Sequence, residues 1–254
     1  IRFPGVSPSL PDVATGFVAY CYLNTRAEFT TPFSETTEPI AFTGGSGNEH
    51  AVNGFGLQRG TDWNLRGDQS RQVRVLFCQP EDSLGSELTT FAIDLTADQS
   101  DQQVIVAVLP RPENLHAALQ ELERRIDEAT LDEYSAKLQS IDVLAIPNTS
   151  FNLSHEFAEL QGIDKTIENT GRFQGVNIAA ARQSILFRLD RSGATVVSES
   201  NAVALAVPRQ FVVDRPFLIV MKRRSSSDPY LVVWIENAEL LEPAIPVSIT
   251  STHE

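Results

Sequence analysis

Apolar runs of strand length occur in the first 110 residues of the chain and again after residue 183. The first, residues 17–24, carries apolar side chains on both faces, which is typical of a strand buried on both sides. The other apolar runs that predict strands lie between turn-rich stretches, at residues 72–78, 89–95, 103–109, 184–190, 217–221 and 230–235. Residues 1–16 instead contain three prolines, and we expect an N-terminal arm or linker there, followed by one domain over residues 17–254.

Helical spacing of apolar residues is confined to the middle of the chain. A first helix is predicted by the series Leu115, Ala118, Leu119, Leu122 and Ile126. A second helix is predicted to begin at Thr130, which with Glu133 has the spacing of a capping box. A short third helix is predicted by Leu153, Phe157 and Leu160, with Gly162 as its stop. Strands, then helices, then strands predict an α+β fold with mostly antiparallel sheets.

The charge of the chain narrows the classes of partner. Its formal net charge is −13, whereas a nucleic-acid-binding protein needs a cationic surface. The same charge disfavours an anionic membrane surface, and no apolar run reaches the length that spans a bilayer. We therefore expect neither nucleic-acid binding nor membrane insertion. The hydrophobic fraction of 42% is sufficient for a packed core.

The sequence lacks the common motifs of catalysis and cofactor binding. It has no Gly-x-Ser-x-Gly nucleophile elbow, no dinucleotide-binding fingerprint and no His-Glu-x-x-His pair. The four histidines share no metal-ligand spacing. We therefore expect no enzyme activity, no metal and no cofactor. The tripeptide Arg66-Gly67-Asp68 matches an adhesion motif, but its predicted position in a polar, glycine-rich loop favours a chance match.

Two further features bear on the cellular compartment. Cys21 and Cys78 both lie within apolar runs, which predicts two buried free thiols rather than a disulfide framework. Asn148 and Asn152 each begin an Asn-x-Ser/Thr sequon and are predicted glycosylation acceptors if the chain is secreted. Because the first residue is isoleucine, we expect a chain that is processed or excised from something longer. An extracellular or organellar compartment after processing is favoured over the cytoplasm.

Residues 211–220, Phe-Val-Val-Asp-Arg-Pro-Phe-Leu-Ile-Val, resemble the signature that follows the reactive loop of serpins. Phe211, Pro216 and Phe217 occupy the aromatic and Pro-Phe places of that signature. Other segments resemble serpin segments in the same order along the chain: residues 20–42, 104–110, 147–163, 172–176 and 184–194. The resemblance covers about residues 17–240.

This resemblance implies a serpin-like α+β fold, with a large mixed or antiparallel sheet, a second, barrel-like sheet and few helices. Residues 17–24 and 184–190 are expected in the large sheet, and residues 217–221 and 230–235 are expected to pair in the second. The match begins at the third long strand of the large sheet, so the chain corresponds to the C-terminal portion of the fold. We expect an open sheet edge, and a partner that completes the fold: another protein chain or an N-terminal segment of the precursor.

The resemblance also assigns roles to the residues before Phe211. The hinge of the reactive loop is Gly193, Ala194, Thr195, Val196 and Val197. Its two valines are bulkier than the small residues that the family favours for insertion into the sheet. Full insertion puts the scissile bond near Val207–Pro208, where the proline makes a poor substrate. Leu205–Ala206 is therefore the candidate bait bond, because Arg209–Gln210 lies too close to Phe211.

Two functions remain open on this basis. In the first, the chain is a non-inhibitory serpin-fold protein that acts as a structural subunit or binding partner. In the second, it is a suicide-substrate inhibitor of a serine or cysteine protease, with its N-terminal part outside this chain. The short stretch before Phe211 and the valine-rich hinge favour the first.

Overall fold

The computed structural model describes residues 17–26, 28–80, 88–162, 166, 168, 174–192 and 208–244. The chain divides into two compact units. The small unit consists of Ile1–Thr25 and Phe151–Phe187, and the large unit consists of Arg26–Ser150 and Arg188–Glu254. The predicted arm, residues 1–16, lies outside the described residues.

Within the described residues, more of the chain is strand than helix. The strands are β1 (Phe17–Arg26), β2 (Ser34–Glu35), β3 (Ile40–Thr43), β4 (Glu49–Val52), β5 (Gly54–Leu57), β6 (Arg74–Pro80), β7 (Leu88–Asp94), β8 (Gln102–Val108), β9 (Val143–Pro147), β10 (Thr149–Glu156), β11 (Ile178–Leu189), β12 (Gln210–Val212), β13 (Phe217–Arg223) and β14 (Pro229–Ile235). The helices are α1 (Trp63–Arg71) and α2 (Leu115–Glu128), and single 3₁₀ turns lie at Ala158–Leu160 and Ala238–Leu240.

An antiparallel five-stranded sheet, with the order β14-β13-β8-β7-β6, forms the main core of the large unit. In β13, Leu218 lies opposite Trp234 of β14 on one side and Ala107 of β8 on the other. The first five residues of β13 are all buried, as expected of an apolar run covered on both faces. The predicted pairing of residues 217–221 with 230–235 is confirmed.

Helix α2 covers one face of this sheet. It begins after Asn114, whose side-chain oxygen accepts a hydrogen bond from the Ala117 amide at 2.9 Å and so caps a free N–H group. The buried side chains Ala118 and Leu122 pack with Leu218 and Val220 of β13. The helix predicted from the spacing of residues 115–126 is therefore confirmed.

A four-stranded sheet, with the order β12-β9-β5-β2, forms the second layer of the large unit. Strand β12 runs parallel to β9, with Phe211 opposite Leu144, and β5 runs antiparallel to β9. The backbone of β5 approaches β9 closely at Gly56, where φ is +155° and a Cβ atom would lie 1.9 Å from the Leu144 carbonyl oxygen. Only glycine can occupy this position without moving the neighbouring strand.

The small unit is built on a three-stranded sheet with the order β1-β11-β10. This confirms the prediction that residues 17–24 and 184–190 belong to one sheet. Strands β10 and β11 are linked on one face by the Phe151 and Phe187 rings, whose centroids are 5.2 Å apart. The Ser154 and Ser184 hydroxyl oxygens are 3.3 Å apart, so these strands also share a polar contact.

The prediction that helices occur only in the middle of the chain is wrong, because α1 lies at Trp63–Arg71. Asp62 caps this helix by accepting hydrogen bonds from the amides of Asn64 and Leu65 at 3.0 and 3.1 Å. The buried residues of α1 are polar: Arg66, Gln69 and Ser70. The helix therefore has no apolar stripe, which is the pattern on which a sequence-based prediction depends.

The helix predicted from Thr130 is also wrong, since the chain makes only a turn there. Asp132, not Thr130, provides the cap: its carboxylate accepts from the Ser135 amide at 2.7 Å and its carbonyl from the Ala136 amide at 2.9 Å. Further along, the carbonyls of Ser135 and Lys137 accept hydrogen bonds from the Arg209 guanidinium, so they are not bonded within a helix.

The third predicted helix is wrong as well, because Leu153 lies in strand β10. Strand pairing continues to Phe157, whose amide donates to the Ala181 carbonyl at 2.9 Å. A single 3₁₀ turn follows at Ala158–Leu160, and Gly162 has a positive φ of 135° just beyond it. The period-2 series Phe151, Leu153, His155 prevails over the helical spacing of the same region.

Candidate functional site

The hinge and bait residues predicted from the sequence lie between β11 and β12. Gly193, Ala194, Thr195, Val196 and Val197, and the Leu205–Ala206 bond, all lie outside the described residues. Residues 193–207 are called the bait segment below. The structure describes the two flanks of this segment, residues 188–192 and 208–213, and both belong to the large unit.

The N-terminal flank is organised by Asp190, directly after β11. This residue is buried, and its carboxylate accepts from the Ser192 amide at 2.8 Å and from Arg188 Nε at 2.5 Å. Burial by itself would raise the pKa of Asp190, but the hydrogen bonds from Ser192 and Arg188 outweigh it, so the pKa is lowered. Arg191 pairs with Glu35 of β2 at 3.0 Å. The chain therefore leaves β11 through a fixed turn.

The C-terminal flank is held by the side chain of Arg209. Its guanidinium binds the Asp142 carboxylate at 2.7 Å and donates to the Ser135 and Lys137 carbonyls at 2.8 and 2.7 Å. The Arg209 amide also donates to Asp142 Oδ1 at 2.9 Å. These four residues form an arginine clamp. Asp142 is 2% exposed, so this ion pair is shielded from water.

A thiol adjoins the clamp. Cys78 in β6 is a half-buried free cysteine, so the prediction of a free thiol is confirmed for this residue, although its burial is only partial. Burial raises the pKa of the Cys78 thiol, and the charge and hydrogen bond of Arg209 oppose that shift. The side chain of Cys21 lies outside the described side chains.

The residues of the post-loop signature have structural positions. Phe211 is fully buried in β12, edge-on to Phe91 with ring centroids 5.4 Å apart. Phe217 is fully buried at the start of β13, 6.2 Å from the Phe42 ring. Pro216, between the two strands, is partly exposed. The signature therefore fixes the chain after the bait segment to the four-stranded and the five-stranded sheets of the large unit.

The adhesion-like tripeptide is not a loop. Arg66 lies in α1 and is 5% exposed. Its guanidinium donates to the carbonyls of Ser140 at 2.7 Å and Asp142 at 2.8 Å, and also to that of Gln58. A receptor cannot reach an arginine that is engaged in this way, which explains the motif as a structural coincidence. Arg66 and Arg209 thus hold Asp142 from its carbonyl and its carboxylate respectively.

The two sequons differ in their surroundings. Asn148 is partly buried, and its side-chain amide donates to Glu242 Oε2 at 2.8 Å. The following Thr149 is buried and donates to the Pro147 carbonyl. Asn152 is exposed on β10. Of the two predicted acceptors, Asn152 has the more accessible side chain.

Two other kinds of feature are absent among the described residues. No helix among them is long and apolar enough to cross a membrane. In the same part of the chain, no group of three or more His, Cys, Asp and Glu side chains has the arrangement of a metal site.

No protein-family model matches the chain, and no curated protein sequence matches it. Solved structures are similar to it in fold. A tumour suppressing serpin is 11% identical, with a TM-score of 0.53, over 86% of this chain and 55% of that chain. Serine protease inhibitor (Serpin)-12 of Manduca sexta is 14% identical, with a TM-score of 0.52, over 87% and 56%. Thyroxine-binding globulin in complex with thyroxine is 10% identical, with a TM-score of 0.50, over 83% and 53%.

These similarities show that the chain has a serpin-like α+β fold, as predicted from residues 211–220 and the segments before them. The chain spans about half the length of the solved structures that it resembles, so it has part of that fold.

Proposed function

We propose that the chain is a non-inhibitory serpin-fold protein that acts as a structural subunit or binding partner. The arginine clamp is the observation that carries this proposal. Arg209 is bound through its amide and its guanidinium to Asp142, and only Val207 and Pro208 separate it from Ala206 of the candidate bait bond. A protease must hold several residues on both sides of the bond that it cuts, and the clamp leaves few on the C-terminal side.

The hinge supports the same proposal. A trap of the serpin type inserts the cleaved segment as a new strand, and the first residues must slip between packed strands. Val196 and Val197 are β-branched and have restricted side-chain rotamers, so they oppose that first opening. Glu199 follows them, and burying its charge would cost several kcal/mol.

A binding role is supported by the small unit. Among the described residues, strand β1 is an end strand of the sheet β1-β11-β10, and an end strand offers its backbone N–H and C=O groups to another strand. Among its described side chains, the small unit also has three exposed leucines: Leu153, Leu160 and Leu186. We infer that a polypeptide partner, another chain or an N-terminal segment of the precursor, covers this sheet. Glycosylation of a sequon takes place in the secretory pathway, so an extracellular or organellar compartment is proposed together with use of Asn152 as an acceptor.

One observation favours the alternative, a suicide-substrate inhibitor. Strands β1 and β11 are direct neighbours, so a new strand could enter between them. Strand β11 has 12 residues, and an inserted strand of the same length needs a span of about 40 Å at ~3.3 Å per residue. The segment from Gly193 to the Leu205–Ala206 bond has enough residues to form an inserted strand of this length.

Incubation with a panel of serine proteases distinguishes the two functions. We expect proteases of elastase or chymotrypsin type to cut near Leu205–Ala206 and to turn over freely. The melting temperature of the cleaved protein should change by no more than about 2–4 °C, the effect of ~1 kcal/mol in a chain of this size. A protease complex that survives a denaturing gel, with a much larger rise in melting temperature, would establish the inhibitor instead.

Two variants serve as matched controls for this experiment. Val196→Ala with Val197→Ala makes the hinge small, and Arg209→Gln releases the clamp. If the hinge and the clamp are what prevent trapping, these changes together should increase the fraction of trapped protease relative to the unmodified chain. An unmodified chain that traps protease as well as the variants do would remove both physical arguments.

A further inference from the structure

Of the Phe, Trp and Tyr side chains that the structure describes, Tyr134 is the most exposed, at 66%. Its backbone is fixed by the turn that Asp132 caps, where the Asp132 carboxylate accepts from the Ser135 amide at 2.7 Å. The Tyr134 carbonyl accepts hydrogen bonds from the Lys137 amide at 3.2 Å and from Gln139 Nε2 at 3.0 Å. A fixed main chain therefore presents the phenol group to solvent.

A groove of about 590 Å³ lies beside Tyr134. Its lining includes the buried residues Val73 and Leu138 and the exposed side chain of Arg71. The groove leaves room next to the ring, so a second protein can hold this tyrosine from the side as well as from its tip.

Two ionised carboxylates stand directly before the tyrosine, on Asp132 and Glu133. The hydrogen bond from the Ser135 amide lowers the pKa of Asp132, and the bond from Lys137 lowers the pKa of Glu133. The Glu133–Lys137 pair, at 2.7 Å, has side chains that are 88% and 65% exposed, so it is weak. Glu133 can therefore exchange this partner for a cation on another protein.

The acidic flank distinguishes Tyr134 from the other three tyrosines of the chain. Each of those follows an uncharged residue, in the pairs Ala19-Tyr20, Cys21-Tyr22 and Pro229-Tyr230. Tyr230 is also less accessible, since it lies in β14 and is 38% exposed. Accessibility and an acidic flank thus coincide at one tyrosine.

We propose that Tyr134 is a sulfation site, modified on its phenol oxygen by a sulfotransferase of the secretory pathway. The inference rests on the extracellular or organellar compartment proposed above. The phenol oxygen attacks the sulfur of phosphoadenosine phosphosulfate, and the bond from sulfur to the phosphate oxygen of that nucleotide breaks. The nucleotide leaves as its bisphosphate, and the phenol proton passes to a base of the transferase. No electrons are gained or lost in this transfer.

The charge of the donor explains why an acidic flank suits this reaction. A transferase that binds a nucleotide with several phosphate and sulfate groups needs a cationic cleft, and a cationic cleft attracts acidic residues next to the acceptor. Phosphate transfer would place a similar anion on the same oxygen. Sulfate is favoured because the transferase and the glycosylation of Asn152 belong to the same pathway.

The test is to incubate the purified, folded chain with a tyrosylprotein sulfotransferase and isotope-labelled phosphoadenosine phosphosulfate. Peptide mass spectrometry should find the label on Tyr134, and Tyr134→Phe should lose it while Tyr230→Phe keeps it. Glu133→Gln should lower kcat/KM for sulfation by about tenfold, because a charge that meets the cleft is lost. Lys137→Gln should raise kcat/KM, since it removes a repelled cation and frees Glu133. Both differences should shrink at high salt.

Equal labelling of the other tyrosines would overturn the proposal, as would labelling of a peptide of residues 128–140 but not of the folded chain. Changes of the same sign in Glu133→Gln and Lys137→Gln would also overturn it, because an effect on the turn alone does not depend on the sign of the charge. In the chain secreted from cultured cells, a group on Tyr134 that a phosphatase removes would replace sulfate by phosphate. Because the purified reaction involves neither a protease nor a partner, its failure would leave the non-inhibitory function standing.

Discussion

The five-stranded sheet of the large unit and the three-stranded sheet of the small unit differ in how they are covered. In β13 the first five residues are buried, and in β8 the last five are. In β10 only Thr149 and Phe151 are buried, and the five residues from Asn152 to Glu156 are exposed. Helix α2 covers the first sheet with side chains of the same chain. The exposed apolar residues of the three-stranded sheet therefore mark the surface on which a partner would bury the most apolar area.

Ion-pair substitutions should give the largest difference between the two units in free energy of unfolding. The Arg209–Asp142 pair of the large unit is shielded from water, whereas the Arg182–Glu156 pair of the small unit is exposed. Removing one partner of a buried pair leaves an uncompensated charge, so Asp142→Ala should lower the free energy of unfolding by about 3–5 kcal/mol. Glu156→Ala removes a pair with Arg182 at 3.7 Å, whose side chains are 53% and 45% exposed, and should cost less than about 0.5 kcal/mol. Urea unfolding followed by circular dichroism measures both.

Asp142→Asn is the control for this comparison, because it keeps the size and hydrogen-bonding capacity of the side chain. It should cost less than Asp142→Ala but more than Glu156→Ala. Equal costs for Asp142→Ala and Glu156→Ala would mean that the clamp does not hold the flank of the bait segment.

A matched pair of leucine substitutions tests the packing itself. Leu218 is fully buried in β13, so Leu218→Ala should cost about 2–5 kcal/mol through lost transfer energy and a residual cavity. Leu153 is 46% exposed in β10, so Leu153→Ala should cost less than about 1 kcal/mol. Both tryptophans, Trp63 and Trp234, belong to the large unit, so their fluorescence reports that unit and circular dichroism reports both.

The same two leucine variants should also have opposite effects on the binding of apolar ligands. Leu153→Ala should reduce the binding of an apolar fluorescent dye and of any captured partner, whereas Leu218→Ala should increase dye binding by loosening the core. A cost of several kcal/mol for Leu153→Ala in the isolated chain would show that this sheet is already covered.

The smallest effect is expected from Asp190, at the other flank of the bait segment. Its folded-state pKa is lowered, so ionised Asp190 contributes stability above its unfolded pKa of about 3.9, and this contribution is lost as pH falls through the lower folded value. Asp190→Asn should therefore be less stable than the unmodified chain at neutral pH, and the difference should begin to decrease near pH 4 and disappear only below the folded-state pKa. A difference that does not vary between pH 7 and pH 3 would contradict this assignment.

The strands of the five-stranded sheet could be predicted from the sequence because each is a short apolar run, and the pairing of residues 217–221 with 230–235 could be predicted because these two runs are neighbours along the chain. The pairing of β8 with β13 could not, since it joins residues more than 100 positions apart. Helix α2 could be predicted for a similar reason, since its apolar residues recur on one face. Helix α1 could not, because its buried residues are the polar Arg66, Gln69 and Ser70. The turn at Asp132 was predicted as a helix because a capping box describes only four residues, and the outcome depended on a distant arginine.

In the candidate site, too, features with a local sequence pattern could be predicted and features that depend on distant contacts could not. Phe211 and Phe217 could be identified because they stand in one continuous segment. The pairing of Arg209 with Asp142 joins residues 67 positions apart, and no local pattern in the sequence indicates it. A charged residue within the apolar stretch from Ile141 to Ile146 was the available signal, since an isolated buried carboxylate requires a cationic partner.

The pairing of β13 inside the five-stranded sheet has a consequence for any cut in the bait segment. A break at Leu205–Ala206 would leave β12, β13 and β14 on the shorter fragment, and β13 is bonded to β8 of the longer one along six consecutive residue pairs. The nicked molecule would thus remain a single particle in native electrophoresis and separate into two bands only after denaturation. The two fragments, refolded together, should reassemble in the manner of a split reporter, so that the chain carries a natural division point for fragment complementation.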